Sequence, residues 1–163
     1  MMLKQTASRI DVFRGLSRAQ LAELMSWIER RDCAKGSTVF SEGDDSDGLY
    51  LLCQGDVAVV KSSSKGGIRL AELNAPSFFG EAALMIDEPR STTVRGLSKC
   101  TLGFLPRAMF QEKLHAQNLT TLIVTVNIAR LLSERLMLAN KRIAILSAKV
   151  QRDGKAYMNR ALT

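Results

Sequence analysis

The chain has 163 residues, of which 46% are hydrophobic and 24% charged. That is the make-up of one ordinary globular domain, and it excludes collagen-like, disordered and disulfide-framework classes. At this length roughly 70% of the unfolded surface can be buried, so neither a metal nor a disulfide is needed for folding. Lys and Arg number 23 against 16 Asp and Glu, a net charge of +7, which favours partners of negative charge such as nucleotides, nucleic acid or acidic lipid.

Cys33, Cys53 and Cys100 are odd in number and far apart, so no Cys-x-x-Cys metal site is available and a reducing cytoplasm is expected. The opening MMLKQTASRIDVF has no apolar stretch long enough for a secretory signal. The longest uncharged stretch, Ala116 to Ala129, contains Asn and Gln and falls short of the roughly 18 apolar residues of a membrane span. No transmembrane segment is expected.

The first local signal is Leu16-Ser17-Arg18-Ala19-Gln20-Leu21. Ser17 is placed to cap a helix with Gln20 reaching back, and Leu16 to staple onto Leu21. Leu21, Leu24, Met25 and Ile28 follow at helical spacing, and the stripe ends at the polar run Glu29 to Asp32. From Gly36 to about Pro106 short runs rich in Val, Leu, Phe and Thr alternate with glycines, which predicts an antiparallel β-domain. Strands are predicted at Ser37–Phe40, Leu49–Cys53, Val57–Lys61, Ile68–Leu73, Thr92–Arg95 and Lys99–Leu105, with Ser62–Gly67 as a hairpin tip. No G-x-x-x-x-G-K-[ST] string occurs, so this tip is not a P-loop.

From about Asn118 to Val150 there is no Gly or Pro, and one long helix is predicted. Leu122, Val126, Ala129, Leu132, Leu136, Ala139, Ile143, Leu146 and Val150 recur in steps that average about 3.5 residues, the period of a coiled-coil seam. Val124, Ile128, Leu131, Leu138 and Ile145 form a second seam interrupted by Arg135 and Arg142. A twofold homodimer through this helix is the economical way to bury the longer seam. Residues 151–163 are polar and basic and are expected to form a frayed tail.

Between two predicted strands lies Phe78-Phe79-Gly80-Glu81-Ala82-Ala83-Leu84-Met85, followed by Pro89-Arg90-Ser91-Thr92-Thr93-Val94. Gly80 permits a sharp turn, after which Glu81 to Met85 can form a helical turn whose N–H groups suit an anion. Pro89 sets an extended exit, so that Arg90 offers a planar charged fork to a phosphate beside the hydroxyls of Ser91 and Thr92. A carboxylate here, Glu81, is repelled by phosphate unless a neutral donor such as a sugar hydroxyl meets it. Phosphate plus ribose is a nucleotide.

These residues resemble the phosphate-binding cassette of the cyclic nucleotide-binding domain family. Lys35–Asp44, Gly48–Leu52 and Gly55–Val57 resemble its glycine-punctuated opening strands, and the similarity runs from about residue 11 to 150. The resemblance implies a mainly β, α+β fold: an antiparallel β-roll of the jelly-roll type flanked by an N-terminal helix and a long C-terminal helix (about 118–150) that pairs with its twin. It implies that Gly80 and Ala82 give backbone N–H groups to a cyclic phosphate, that Glu81 takes the ribose 2′-hydroxyl, and that Arg90 neutralises the phosphate. Phe79 opens the cassette, Ser91 hydrogen-bonds nearby, and Thr92 makes a backbone contact. Where catabolite-activator-like members carry a base-contacting Thr-Ser pair, this chain has Arg135 and Leu136, so Arg135 is either the residue that stacks on or hydrogen-bonds a purine or a solvated or ion-paired helix arginine.

Other chemistry finds no support in the residues. His115 is the only histidine, so a cupin-type metal enzyme or a histidine triad has no ligand set. Gly43–Gly48 resembles a calcium loop, but its first and twelfth positions are Gly43 and Gln54. Thirteen residues after Val150 cannot hold a winged helix-turn-helix, so no DNA-binding module is expected, and Lys149, Arg152, Lys155 and Arg160 offer only weak phosphate contacts. The expectation is a nonenzymatic cytoplasmic sensor of a cyclic nucleotide, cyclic AMP ahead of cyclic GMP, with no metal. The alternatives are a degenerate dimerisation scaffold or a truncated regulatory domain of a transcription regulator or ion channel.

Overall fold

The computed structural model describes residues 9–64 and 66–161, with side chains described as far as Gln151. Two compact units, residues 1–127 and 128–163, are recognised. The first opens with a single 3-10 turn at Asp11–Phe13 and helix α1 at Arg18–Ser26. The α1 N-terminus is the predicted capping box: the Ser17 hydroxyl accepts from the Gln20 N–H at 3.3 Å, and the Gln20 amide oxygen accepts from the Ser17 N–H at 2.9 Å. Such a cap is worth about 1 kcal/mol, enough to fix where a short helix starts.

Eight strands follow: β1 Glu29–Cys33, β2 Thr38–Phe40, β3 Gly48–Gln54, β4 Asp56–Lys61, β5 Ile68–Asn74, β6 Ser77–Phe79, β7 Thr93–Gly96 and β8 Cys100–Pro106. They form two four-stranded antiparallel sheets, β1-β8-β3-β6 and β2-β7-β4-β5, the jelly-roll β-roll that the resemblance implied. The predicted hairpin at 62–67 joins β4 to β5, with Lys61 opposite Ile68. Both sheets contribute to one core, in which Phe40, Tyr50, Leu52, Val57, Phe79, Val94, Leu102 and Phe104 are buried. The three cysteines are buried and free, and burial raises the thiol pKa of Cys33 and Cys53, which keeps them unreactive at neutral pH.

Three elements depart from the expectations. β1 lies in the run that was to end the first helix; four of its five residues are charged. It holds an edge of its sheet by pairing β8 from Glu29↔Phe104 to Cys33↔Cys100, and an edge strand with water on one side needs no apolar alternation. β6 has only three residues and pairs with β3. Helix α2, Arg107–His115, was unanticipated and starts at the N-cap Pro106; proline suits that place because its missing N–H is not needed there. His115 is exposed at its end.

Helix α3 runs from Leu119 to Ala161. In the first unit its opening turns are tied to the N-terminal segment. Glu23 of α1 accepts from Asn118 Nδ2 at 2.7 Å and from Thr120 Oγ1 at 2.6 Å. Asn127 Nδ2, buried, donates to the carbonyls of Val12 at 3.1 Å and Arg14 at 2.7 Å. In the second unit the helix continues through Gln151 to Ala161, which corrects the expected frayed tail: Gly154 costs such a helix only about 1 kcal/mol and does not stop it. The side chains of Arg152, Lys155 and Arg160 lie outside the described residues. Both seams expose apolar surface, Leu136, Ile143, Leu146 and Val150 on one and Leu138 and Ile145 on the other.

Candidate functional site

The chain turns sharply between β6 and the segment that returns to β7. Gly80 sits in the left-handed region at φ 74° and caps a 3-10 turn, Glu81–Leu84. Ala83 N–H closes that turn onto the Gly80 carbonyl at 3.2 Å. A Cβ at residue 80 would lie 2.5 Å from Arg90 Nη1, so glycine is required both by the backbone angle and by the close approach of the arginine.

Arg90 lies just before β7, its side chain only 3% exposed. Its Nη2 donates to Asp47 Oδ1 at 2.6 Å and to the Gly48 carbonyl at 2.7 Å, and its Nη1 donates to the Gly80 carbonyl at 3.3 Å. Its guanidinium carbon stands 4.1 Å from the Phe40 ring centroid and 5.7 Å from that of Tyr50. Below, Phe79 is stacked on Tyr50 at 5.4 Å and Tyr50 meets Phe104 at 4.9 Å, an aromatic floor that fixes the fork from one side. Arg90 Nε is buried with no hydrogen-bond partner among the described residues. A buried guanidinium N–H costs free energy unless an acceptor reaches it. An anion at the Gly80 turn would be such an acceptor, so the residues present fit a phosphate.

The main chain of Arg90 is held as firmly as its side chain. Its N–H donates to the Asp44 carbonyl at 2.8 Å and its carbonyl accepts from Gly43 N–H at 2.9 Å. Lys61 Nζ donates to Glu42 Oε1 at 2.6 Å and to the Ser91 carbonyl at 2.9 Å, while Glu42 Oε2 accepts from Ser62 N–H at 2.9 Å. The Lys61 bond, then the Ser62 amide, lowers the Glu42 carboxyl pKa to about 2. A depressed carboxyl contributes stability that is present above its unfolded pKa and is lost as pH falls through the folded one. We therefore expect the melting-temperature gap between wild type and Glu42→Gln to be constant from pH 7 to about pH 5, to narrow below about 4.5, and to close near 2. A gap independent of pH would show that the Lys61 latch is not ionic.

The structure brings Phe79, Gly80, Glu81 and Arg90 to one turn, with Glu81 7% and Arg90 5% exposed. Ala82 and Ser91 are exposed and Thr92 is half-buried. Arg135 is exposed on α3 in the second unit. Asp47, Phe40 and Tyr50 were not anticipated at the site. The Asp44–Asp47 run, read as a failed calcium loop, spends its carboxylates on protein groups instead: Asp44 accepts from Ser41 N–H at 2.7 Å, and Asp47 pairs with Arg90. Burial, then the Asp47 charge, raises the Tyr50 hydroxyl pKa.

The family model for the cyclic nucleotide-binding domain matches residues 30–117. The chain is 32% identical over 137 residues to Glutaminase 1 of Bradyrhizobium diazoefficiens, covering 84% of this chain and 22% of that protein. It is 30% identical over 147 residues to the Cyclic AMP receptor protein of Thermus thermophilus, covering 90% of this chain and 66% of that one. The crystal structure of the Thermus thermophilus Catabolite Activator Protein superposes with a TM-score of 0.76 at 28% identity, over 84% of this chain and 63% of the other. The chain therefore spans less than two thirds of the first relatives it matches, down to about a fifth of the glutaminase.

Proposed function

The chain belongs to the cyclic nucleotide-binding domain family, and from that membership we propose that it is a nonenzymatic regulatory domain that binds cyclic AMP and couples the binding to its long helix α3. Gly80 and Ala82 offer backbone N–H groups to the cyclic phosphate, and Arg90 neutralises it. Glu81 accepts the ribose 2′-hydroxyl, Ser91 and Thr92 bond beside it, and Phe79 builds the floor under the turn. The observation that carries the reading is the buried Arg90 fork, fixed against the Gly80 turn with Nε–H still to be matched. Cyclic AMP is preferred to cyclic GMP because the Thermus thermophilus relative bears its name. Any regulation requires that the ligand bind one conformation of the domain more tightly than another. We further propose that the exposed α3 seam pairs two copies, and that the protein acts in the cytoplasm.

Thermal melting with cyclic AMP, cyclic GMP and cyclic di-GMP tests the ligand. At a hundred times its dissociation constant a ligand stabilises by about 2.7 kcal/mol, a rise of roughly 5–10 °C for a domain of this size. A rise with cyclic AMP at lower concentration than with cyclic GMP supports the reading. No rise with any of the three would identify a scaffold that has lost its ligand.

A further inference from the structure

Arg90 is not the only cation at the site. Asp47, whose Oδ1 pairs with Arg90, holds its Oδ2 3.7 Å from Nη1 of Arg31 on β1. Arg31 lies 3.4 Å above the Phe104 ring centroid and donates to the Tyr50 hydroxyl at 3.0 Å. Two arginines thus flank one carboxylate over a shared aromatic floor. Arg31 also meets Glu29 at 3.3 Å, through its other terminal nitrogen and out toward solvent, where the Glu29 side chain is 59% exposed.

The charges show what the second arginine does. Arg90 and Asp47 cancel as a pair, so a cyclic phosphodiester that takes up Arg90 leaves the Asp47 charge to Arg31, which Asp47 shares with the exposed Glu29. Without Arg31, the phosphate and Asp47 would be two anions sharing one guanidinium, and because the Asp47 side chain is 48% exposed, solvent screens their repulsion to an effect of a few-fold in affinity. Resting on these contacts and on the ligand reading above, we infer that Arg31 determines phosphate affinity without touching the ligand: it takes up the Asp47 charge when the phosphate claims Arg90. Arg31 is a positioning residue suited to this because its ring and hydroxyl contacts already hold it in place, so little further ordering is needed. It lies outside the cassette by nearly fifty positions of sequence, and only the fold brings it there.

Titration calorimetry of the full chain with cyclic AMP tests the inference. Arg31→Met should weaken binding about fivefold, Arg31→Lys should keep most of the affinity, and in an Asp47→Asn background the Arg31→Met loss should vanish. A role limited to packing on Phe104 predicts the same loss in both backgrounds and no rescue by lysine, and that outcome overturns the inference while leaving the ligand reading intact. If wild type binds no cyclic nucleotide, the ligand reading falls and this inference with it. Arg31→Gln, which keeps a donor for Tyr50, gives the same comparison if the methionine variant does not fold.

Discussion

Arg90→Ala should lower cyclic AMP affinity about ten- to hundredfold in titration calorimetry, the loss of charged hydrogen bonds worth roughly 1.5–3 kcal/mol. The upper end is expected, because the substitution does more than delete a donor. Asp47 Oδ1 lies 2.6 Å from the guanidinium, and with the arginine gone its carboxylate faces the phosphate unneutralised by that partner. Arg90→Lys should recover only part of the affinity. An ammonium keeps the charge, but it cannot serve Asp47, the Gly48 and Gly80 carbonyls and a phosphate from one plane as the fork does. Unchanged affinity in the alanine variant would refute the assignment of the phosphate to this turn.

Leu136→Glu should disrupt the proposed pairing of two copies along α3, giving monomers in sedimentation velocity while leaving the melting of the β-roll unchanged. Leu136, Ile143, Leu146 and Val150 are each at least 60% exposed, and they lie in one stripe at the seam period, more apolar surface than a solvated helix face normally shows. Burying Leu136 in a symmetric pair contributes about 1.5–3 kcal/mol per copy, so losing both sides weakens association by more than about a hundredfold. Two carboxylates facing each other add repulsion. A variant that stays dimeric would move the interface off this seam.

The parts of the fold that were legible in the sequence are those with local causes. The Ser17–Gln20 box, the glycine-marked hairpins and the long helix each follow from neighbours within a few residues, and they appear where expected. β1 and the Pro106-capped helix were not legible. A strand of Glu, Arg, Arg and Asp is stabilised by its pairing to Phe104 and Leu102 across the sheet, a contact about seventy positions distant that no window of sequence reports. The same holds at the site. Gly80, Glu81 and Arg90 form a contiguous pattern, whereas Asp47, Phe40 and Tyr50 reach Arg90, and Arg31 reaches Asp47, only through the topology that brings β1, β2, β3 and the loop before β3 around it. In sequence Arg90 stands with Gly80, Glu81 and the hydroxyls of Ser91 and Thr92; in the fold it is also one member of a charge network with an aromatic base.

The double main-chain bond between Arg90 and the Gly43–Asp44 turn sets which loops of this protein can change in length. Surface connections ordinarily accept inserted residues at small cost, and the 62–67 hairpin, whose ends are set by the β4–β5 ladder, is of that kind. The connection from Ser41 to Asp47 is not, since one extra residue would pull the arginine backbone out of step or carry Asp47 away from its fork. A fluorescent reporter or circular permutation of this domain therefore belongs in the first loop, and homologous chains that differ in the second should differ in what they bind.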